Sequence, residues 1–503
     1  MSARTLPSPL LPSLGAELEM AVIDASGASA CVGAGYFTAL EDIRHPHGNT
    51  RLERIGDITV ALHSDIGVNG IDNGFNLLET AHAPIPAGMN GLAQLARAMQ
   101  RDLSEVVRAL ATQGLALTSL AQHPTAGTGP AQYARAVAPK SIYRYLTTLR
   151  GWSHTAGIDA KAQNGPTTGL TVENAIPALN LLLATSPAFI ALFANSPFED
   201  GRPSGLMETR MTLWPRMVAT SRVKADRERT GLPPQWFTSL DGYFAWTFAP
   251  GTVMHAIPPD HGSYKGGAAF FVAGDGTMNA GDFFRGGPVE GQAVGNGERT
   301  ILTPSAAHFE FLQWSNFLDF RLRFAFGTPG PGPAELARAL GPGGGFDALF
   351  RDHATNLYLE NRCSGATFPD ADLTDAAGTP EVQSCMIAAS ALQAGLVAST
   401  MNDGGAEGAA FLRRWPLETV RSLREQAIRH ALSGPQNPLL VALCTDALDL
   451  ARRHLPAADQ PCLAYADWVL ATGRTGAQRA LDHWERLGKP PLDELARARR
   501  VQA

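Results

Sequence analysis

The stretch SLGAELEMAVID, residues 13–24, sets Glu17 and Glu19 two positions apart in an otherwise apolar run. On a β-strand, alternate side chains share a face, so both carboxylates point the same way. Like charges that close repel unless a cation lies between them. Further along, DNGFNLLETAHAP places Asp72 seven residues before Glu79, and GWSHTAGIDA brings His154 and Asp159 into a glycine-containing apolar segment. Acidic oxygens on neighbouring strands suit a hard cation such as Mg²⁺, which commonly shares its coordination with substrate phosphates. Taken singly, each carboxylate reads equally well as an edge-strand or salt-bridged residue, and His154 as a hydrogen-bonded core histidine. The metal reading rests on three acidic sites, each beside apolar sequence.

The elements that would position these groups follow from periodicity. Residues 15–24 and 57–63 read as strands. Residues 90–114 read as an amphipathic helix, with Leu92, Leu95, Met99, Leu103, Val106, Val107 and Leu110 recurring mostly at spacings of three and four, Asn90 as a cap and Gly114 as a stop. Residues 175–194 carry no charge over a span-like length, but Pro177, Asn180, Thr185 and Pro187 interrupt them, and a pair of buried helices is expected. Alternation returns in FLDFRLRFAF, and the chain's richest Pro/Gly stretch follows at 327–345. Beyond it, 380–400, 416–434 and 475–488 have helical period, with Pro416 and Gly434 bracketing the middle one. The organisation expected is a catalytic α+β region over 1–330, a Gly/Pro-rich hinge over 331–350 and a mainly helical C-terminal region over 351–503.

Composition narrows the class. With 503 residues, 45% hydrophobic and 17% charged, a sizeable core can be buried. A net charge of −6 gives no electrostatic case for nucleic acid or an anionic membrane. Five cysteines without a C-x-x-C pair argue against a disulfide framework or a zinc finger and fit a reducing, cytoplasmic compartment. The start, broken by Pro7, Pro9 and Pro12, lacks the apolar core of a signal peptide. No G-x-x-x-x-G-K-[ST], H-E-x-x-H or G-x-S-x-G occurs. A nucleotide would therefore be held through metal ions on carboxylates. Nothing in the sequence speaks to oligomeric state.

The order of these motifs resembles the glutamate–cysteine ligase family, carboxylate–amine ligases with a glutamine-synthetase-like fold. GAELEM resembles the family's G-x-E-x-E strand, DNGFNLLETAHAP its D-(x)6-E element, and HTAGI its H-x-x-G-I. ALFANSPFEDGRPSGLMETRMTLW, residues 191–214, resembles its A-L-F-A-N-S-P-F block, RTGLPPQWF its R-T-G-x-x-P segment, and the closing WVLATGRTGAQRALDHW its T-G-x-[ST]-x-A tail. The resemblance implies an α+β fold, with a six-stranded antiparallel sheet forming a funnel, surrounding helices and a helical C-terminal part. It implies ATP and Mg²⁺ in the funnel, Glu17, Glu19 and Glu79 as metal ligands, Asp72 and His154 as nearby metal- or nucleotide-shell residues, and Arg210 as the arginine that holds the amino-acid substrate. The implied activity is ATP-dependent formation of a γ-glutamyl amide, γ-glutamylcysteine by default, as in glutathione biosynthesis. The implied partners are small amino-acid substrates: glutamate, with cysteine or another amine.

Departures from the family pattern stand beside the matches. The family's strand R-L-K-x-Y-[LI]-E-x-R is met at 321 by RLRFAFGTP, with Gly327 and Pro329 at the positions of a metal-binding glutamate and an arginine that contacts reacting groups. Asp319 shares parity with position 327 but lies roughly 26 Å away along a strand, too far to substitute. Ile142 stands where an arginine is common in plant-type members, with Arg144 two residues on, and the glycine-rich 274–287 has no assigned role. Two alternatives stay open: a divergent ligase with another amine acceptor, and a non-catalytic relative that binds a ligand in the inherited funnel.

Overall fold

The computed structural model describes residues 13–503 apart from 89, 127–128, 158–160, 249–255, 258–269, 275 and 434–437. Asp159, Gly434 and the proline-broken start fall outside the described residues.

The centre is an antiparallel sheet. Its strands, in chain order, are β1 (Ser13–Ile23), β2 (Thr50–Ile55), β3 (Ile58–Ser64), β4 (Gly67–Ile71), β5 (Leu77–His82), β6 (Asn164–Gly169), β7 (Phe320–Phe326) and β8 (Ala354–Asn361). They run across the sheet as β7-β8-β6-β1-β5-β4-β3-β2, and two short strands, Ile85–Pro86 and Ala116–Leu117, also pair with β1. This path of eight strands is longer than the six the resemblance implies, because the tight meander β2–β5 extends one side. Gly56, at φ +58°, opens the two-residue hairpin between β2 and β3.

β1 shows the logic of the sheet. Leu14, Ala16, Leu18, Met20 and Val22 form its buried face, while Gly15, Glu17 and Glu19 share the other. The apolar face is covered by helices. α1 (Ala34–Arg44) packs on β3 and α2 (Gly91–Ala111) on β1. α3 (Ala175–Leu192) lies against β7 and α4 (Ala388–Ala398) against β6. α5 (Leu417–His430) and α6 (Pro438–His454) then pack on α3.

α3 corrects one expectation. It is a single helix running through Pro187, and it is the one described helix long and apolar enough to cross a membrane. It is 94% buried inside the protein. An interior proline costs about 3 kcal/mol, which burial on every side outweighs. Asn180 is satisfied inside this apolar setting by bonds to the Phe237 backbone, donating to the carbonyl at 2.7 Å and accepting from the N–H at 3.0 Å.

The Pro/Gly stretch does not separate two sheets. It carries a helix, Pro333–Ala339, and is followed by a second, Phe346–His353, whereupon β8 enters between β6 and β7. The chain after the hinge thus supplies a central strand, and the helical part starts only beyond Asn361. That insertion matters for the site.

Candidate active site

The polar face of the sheet lines an open-mouthed cavity of about 720 Å³, counting the space at its mouth. Its chemistry changes along the sheet. On β1, Glu17 and Glu19 point in; Glu19 pairs directly with Glu79 of β5, and Glu17 faces Gly165 of β6. A Cβ on Gly165 would stand 3.6 Å from that of Glu17 and 3.2 Å from the Asn361 carbonyl, so the floor there stays clear. On the far side, Arg321 of β7 pairs with Glu360 of β8 and Arg323 with Tyr358. One strand, β6, separates β8 from β1, which puts the basic side roughly 10 Å from the acidic side.

The acidic wall gathers what the strand parity predicts. Carboxylate oxygens of Glu19, Asp72 and Glu79 lie within 4.8 Å of one another. Asp72 sits just past β4, and that turn is pinned by Tyr143 Oη, which donates to the Asp72 carbonyl at 2.7 Å, and by Lys140 Nζ, which donates to the carbonyls of Ile71 at 2.6 Å and Asp72 at 3.0 Å. The cation between the carboxylates is Lys161. Its Nζ stands 3.3–3.4 Å from both Glu19 oxygens and 3.3 Å from Asp72 Oδ2. Burial, with Asp72 and Glu79 alongside, pushes the Glu19 carboxyl up to about 7 even though Lys161 and Arg210 oppose the shift. His154 completes this end. Its Nδ1 bonds Tyr133 Oη at 3.1 Å, its buried Nε2 has no partner among the described residues, and burial lowers its pKa to about 4.

The basic wall is built differently. Glu360 Oε1 accepts from Arg321 at 2.9 Å and from Arg362 at 2.8 Å, while Oε2 accepts from Arg321 at 3.2 Å and forms an ion pair with Arg323 at 3.2 Å. Burial alone would raise the Glu360 carboxyl; the three guanidiniums outweigh it and hold the group well below the usual carboxylate range. Arg362 lies 4.7 Å over the Trp214 ring, which stacks on Phe317 with centroids 4.5 Å apart. Trp152 and Trp314 close the apolar side.

The fit to a divalent cation follows from these donors. Glu19, Asp72 and Glu79, with Glu17 and the orphan His154 Nε2 on the same cavity, offer the oxygen-rich set that Mg²⁺ prefers. Glu360 does not belong to that set, since both its oxygens are taken by guanidinium groups.

Of the residues singled out in the sequence, Glu17, Glu19, Asp72, Glu79 and His154 meet at one cavity. Arg210 does not line it. It is wholly buried, donating to Glu208 at 2.9 Å, Gln163 at 3.4 Å and the Arg362 carbonyl at 3.2 Å. Encased this way, it holds the backbone of Arg362 instead of reaching a ligand. Ile142 lines the cavity, but Arg144 faces Gly295 on another surface. Asp319 is committed to Arg424 of α5, at 2.6 and 2.9 Å. The described residues of the glycine-rich segment, with its helix Ala280–Gly286, do not line the cavity.

Sequence reading missed Lys161, Trp214 and the whole basic wall. The glutamate and arginine sought at Gly327 and Pro329 have counterparts on the next strand: YLENR, residues 358–362, has the order Y-[LI]-E-x-R and puts Glu360 and Arg362 in the cavity. Gly327 and its neighbours border a different surface, with Pro331 and Pro333. Searching for the E-x-R spacing without tying it to RLR would have found it.

Comparisons with known proteins agree with this architecture. Residues 13–253 match the family described as "Glutamate-cysteine ligase family 2(GCS2)". Among curated proteins, the chloroplastic glutamate–cysteine ligases of Medicago truncatula and Brassica juncea are 39% and 38% identical over 61 residues. That stretch is 12% of this chain and only 10% of either plant enzyme. Among solved structures, the glutamate–cysteine ligase of Francisella tularensis in complex with AMP aligns over 98% of this chain and 89% of its own at 11% identity and a TM-score of 0.50, which is a likeness of fold. The part of the chain from 13 to 253, which bears the acidic wall, His154 and Arg210, is the part similar to the glutamate–cysteine ligase family.

Proposed function

We propose that this protein is an ATP- and Mg²⁺-dependent carboxylate–amine ligase of the glutamate–cysteine ligase type, joining the γ-carboxylate of glutamate to an amine, with cysteine as the default acceptor. The observation that supports this most is the opposition of charge in one cavity: acidic side chains on β1 and β5 face an arginine cluster on β7 and β8 across the clear floor of β6.

A carboxylate is a poor electrophile, and an amide does not form from it and an ammonium unaided. The substrate carboxylate attacks the γ-phosphorus of ATP and ADP leaves. The amine, having lost a proton, then attacks the acyl carbon of the acyl phosphate and inorganic phosphate leaves. Catalysis of such transfers is mostly positioning and charge neutralisation. Glu19, Asp72 and Glu79, with Glu17 beside them, would hold Mg²⁺, which supplies neutralisation of the phosphate oxygens. Arg362 and Arg321 present forks suited to a carboxylate or phosphoryl oxygen. Arg210, by holding Arg362, is a positioning residue. The aromatic lining of Trp152, Trp214 and Phe317 excludes water that would hydrolyse the acyl phosphate.

With Glu360 and Arg362 in the cavity, the non-catalytic alternative loses the gap that motivated it. A reducing, cytoplasmic setting fits five cysteines of which none forms a disulfide. The test is a panel assay: purified protein, Mg-ATP and glutamate with cysteine or other amines, following phosphate release and product mass. Phosphate release that requires both amino acid and amine is expected. Phosphate release indifferent to amino acid, or none, would sink the assignment.

A further inference from the structure

One charged group at the acidic wall has no part in the chemistry proposed above. Lys161 is buried at the acidic wall, yet its contacts differ from those of Arg321 and Arg362 on the opposite wall. Charge-assisted N⁺–H···O⁻ bonds run at about 2.7–2.9 Å. Arg321 and Arg362 reach Glu360 at 2.8–2.9 Å, whereas the Lys161 ammonium is spread over three oxygens of Glu19 and Asp72 at 3.3–3.4 Å and commits to none. Its backbone is fixed by a bridge to Gln122, and the Ala162 N–H donates to the Ala121 carbonyl at 2.6 Å. Its head borders the open cavity, which gives it room to move, whereas the Trp214 ring 5.6 Å away already carries Phe317 and Arg362.

The position it holds is also the one a divalent ion needs. Glu19, Asp72 and Glu79 converge there within 4.8 Å, and the unpartnered His154 Nε2 lines the same cavity. An ammonium is a compact point charge on a flexible stem. It can share a site with carboxylates, but it cannot accept a phosphate oxygen into its coordination as a metal ion does.

We propose that Lys161 is a built-in competitor for the divalent cation: its ammonium holds Glu19 and Asp72 together when no metal is bound and has to swing aside for a metal to enter. The inference rests on the metal reading of the acidic wall, and it assigns Lys161 the setting of metal affinity. The lysine keeps the fold intact without metal and keeps resting affinity low, so that the ion is retained best when a substrate phosphate adds oxygens of its own.

Direct Mn²⁺ binding tests this without any turnover. Free Mn²⁺ is followed by electron paramagnetic resonance during titration of the full chain, its K161M variant and K161R. K161M is expected to bind at least about tenfold more tightly than the wild type, since a unit charge a few ångströms away has gone, and K161R to stay near the wild-type value. Wild type and K161M binding alike would overturn the lysine's role while leaving the metal site standing. Binding by neither would overturn both readings. Should K161M be unfolded in chelator, recovery of its melting transition as Mn²⁺ is added gives the same information; failure to recover at any Mn²⁺ concentration would count against the proposal.

Discussion

The two walls of the cavity neutralise charge in opposite ways. On β7 and at the end of β8, three arginines converge on one carboxylate, Arg321 through a fork, Arg362 through one short bond and Arg323 as an ion pair, leaving a fixed excess of positive charge. On the acidic wall, four carboxylates line the cavity and one lysine pairs with two of them, Glu19 and Asp72, at 3.3–3.4 Å, leaving an excess of negative charge that is not fixed. The first arrangement is preorganised for an anion and has no vacancy for a metal ion. The second is held open by repulsion and is completed by adding a cation. A carboxylate in a cavity is thus no indication of metal binding until its partners are counted: Glu360 and Glu19 are equally buried, and only one has oxygens to offer.

The acidic wall should give the larger functional effect. Glu79→Ala is expected to lower amino-acid-dependent phosphate release by at least about 100-fold, the scale seen when one preorganised electrostatic group is removed from a transferring centre. Its melting temperature should not fall, because Glu79 stands directly opposite Glu19 and its removal relieves like-charge repulsion. Normal turnover in this variant would break the comparison at its root.

The basic wall should give the larger effect on stability. Glu360→Gln strands three buried guanidiniums, and removing one partner of a buried ion pair typically costs about 3–5 kcal/mol. The pH dependence has a definite sign. The folded carboxyl lies below its ordinary value of 4.5, so its stabilisation is fully present above that pH and is lost as pH falls toward the folded value. Chemical denaturation of wild type and variant should therefore differ most near neutrality and converge in acid. A gap that widens in acid would mean the arginines do not stabilise the ionised form.

The contrast between the walls also explains what the sequence could disclose. Glu17 and Glu19 share a face by strand parity, and Asp72 and Glu79 follow within one hairpin, so local spacing brings the acidic set together. The arginine wall depends on pairing between Arg321 and Glu360, 39 residues apart, with two helices between. No periodicity records that register, and the Pro/Gly stretch read as a boundary concealed the strand beyond it. Lys161 comes from a segment between named elements, where neither helical nor strand period applies. Arg210 was found by its motif, but a motif carries no information on depth, and its burial behind Arg362 emerges only from packing.

Arg362 sharpens the comparison at a finer scale. Lysine would keep the charge but lose the planar guanidinium that bonds Glu360 at 2.8 Å while lying 4.7 Å over the Trp214 ring. Arg362→Lys is expected to raise KM for the amino-acid substrate about tenfold, the equivalent of one lost charge-assisted bond, with kcat less affected. Initial rates at fixed Mg-ATP would check this. An unchanged KM would move the substrate carboxylate away from this wall.

The smallest effect belongs to ion pairs that face water. Arg299 and Glu290 pair at 3.0 Å on the small sheet formed by Ala256–Ile257, Phe271–Ala273, Val289–Ala293 and Arg299–Leu302, and both side chains are more than half exposed. Exposed pairs contribute between nothing and about 1 kcal/mol, because solvent screens the attraction and ordering two long side chains costs entropy. Arg299→Ala should accordingly shift unfolding by less than about 0.5 kcal/mol and leave phosphate release untouched. Its distance in chemistry from Glu360→Gln is the useful quantity, since both variants break an arginine–glutamate contact of nearly the same length. If the two cost the same, burial would not be what distinguishes the cavity's ion pairs, and the fixed character assigned to the basic wall would have to come from something other than desolvated, forked bonding.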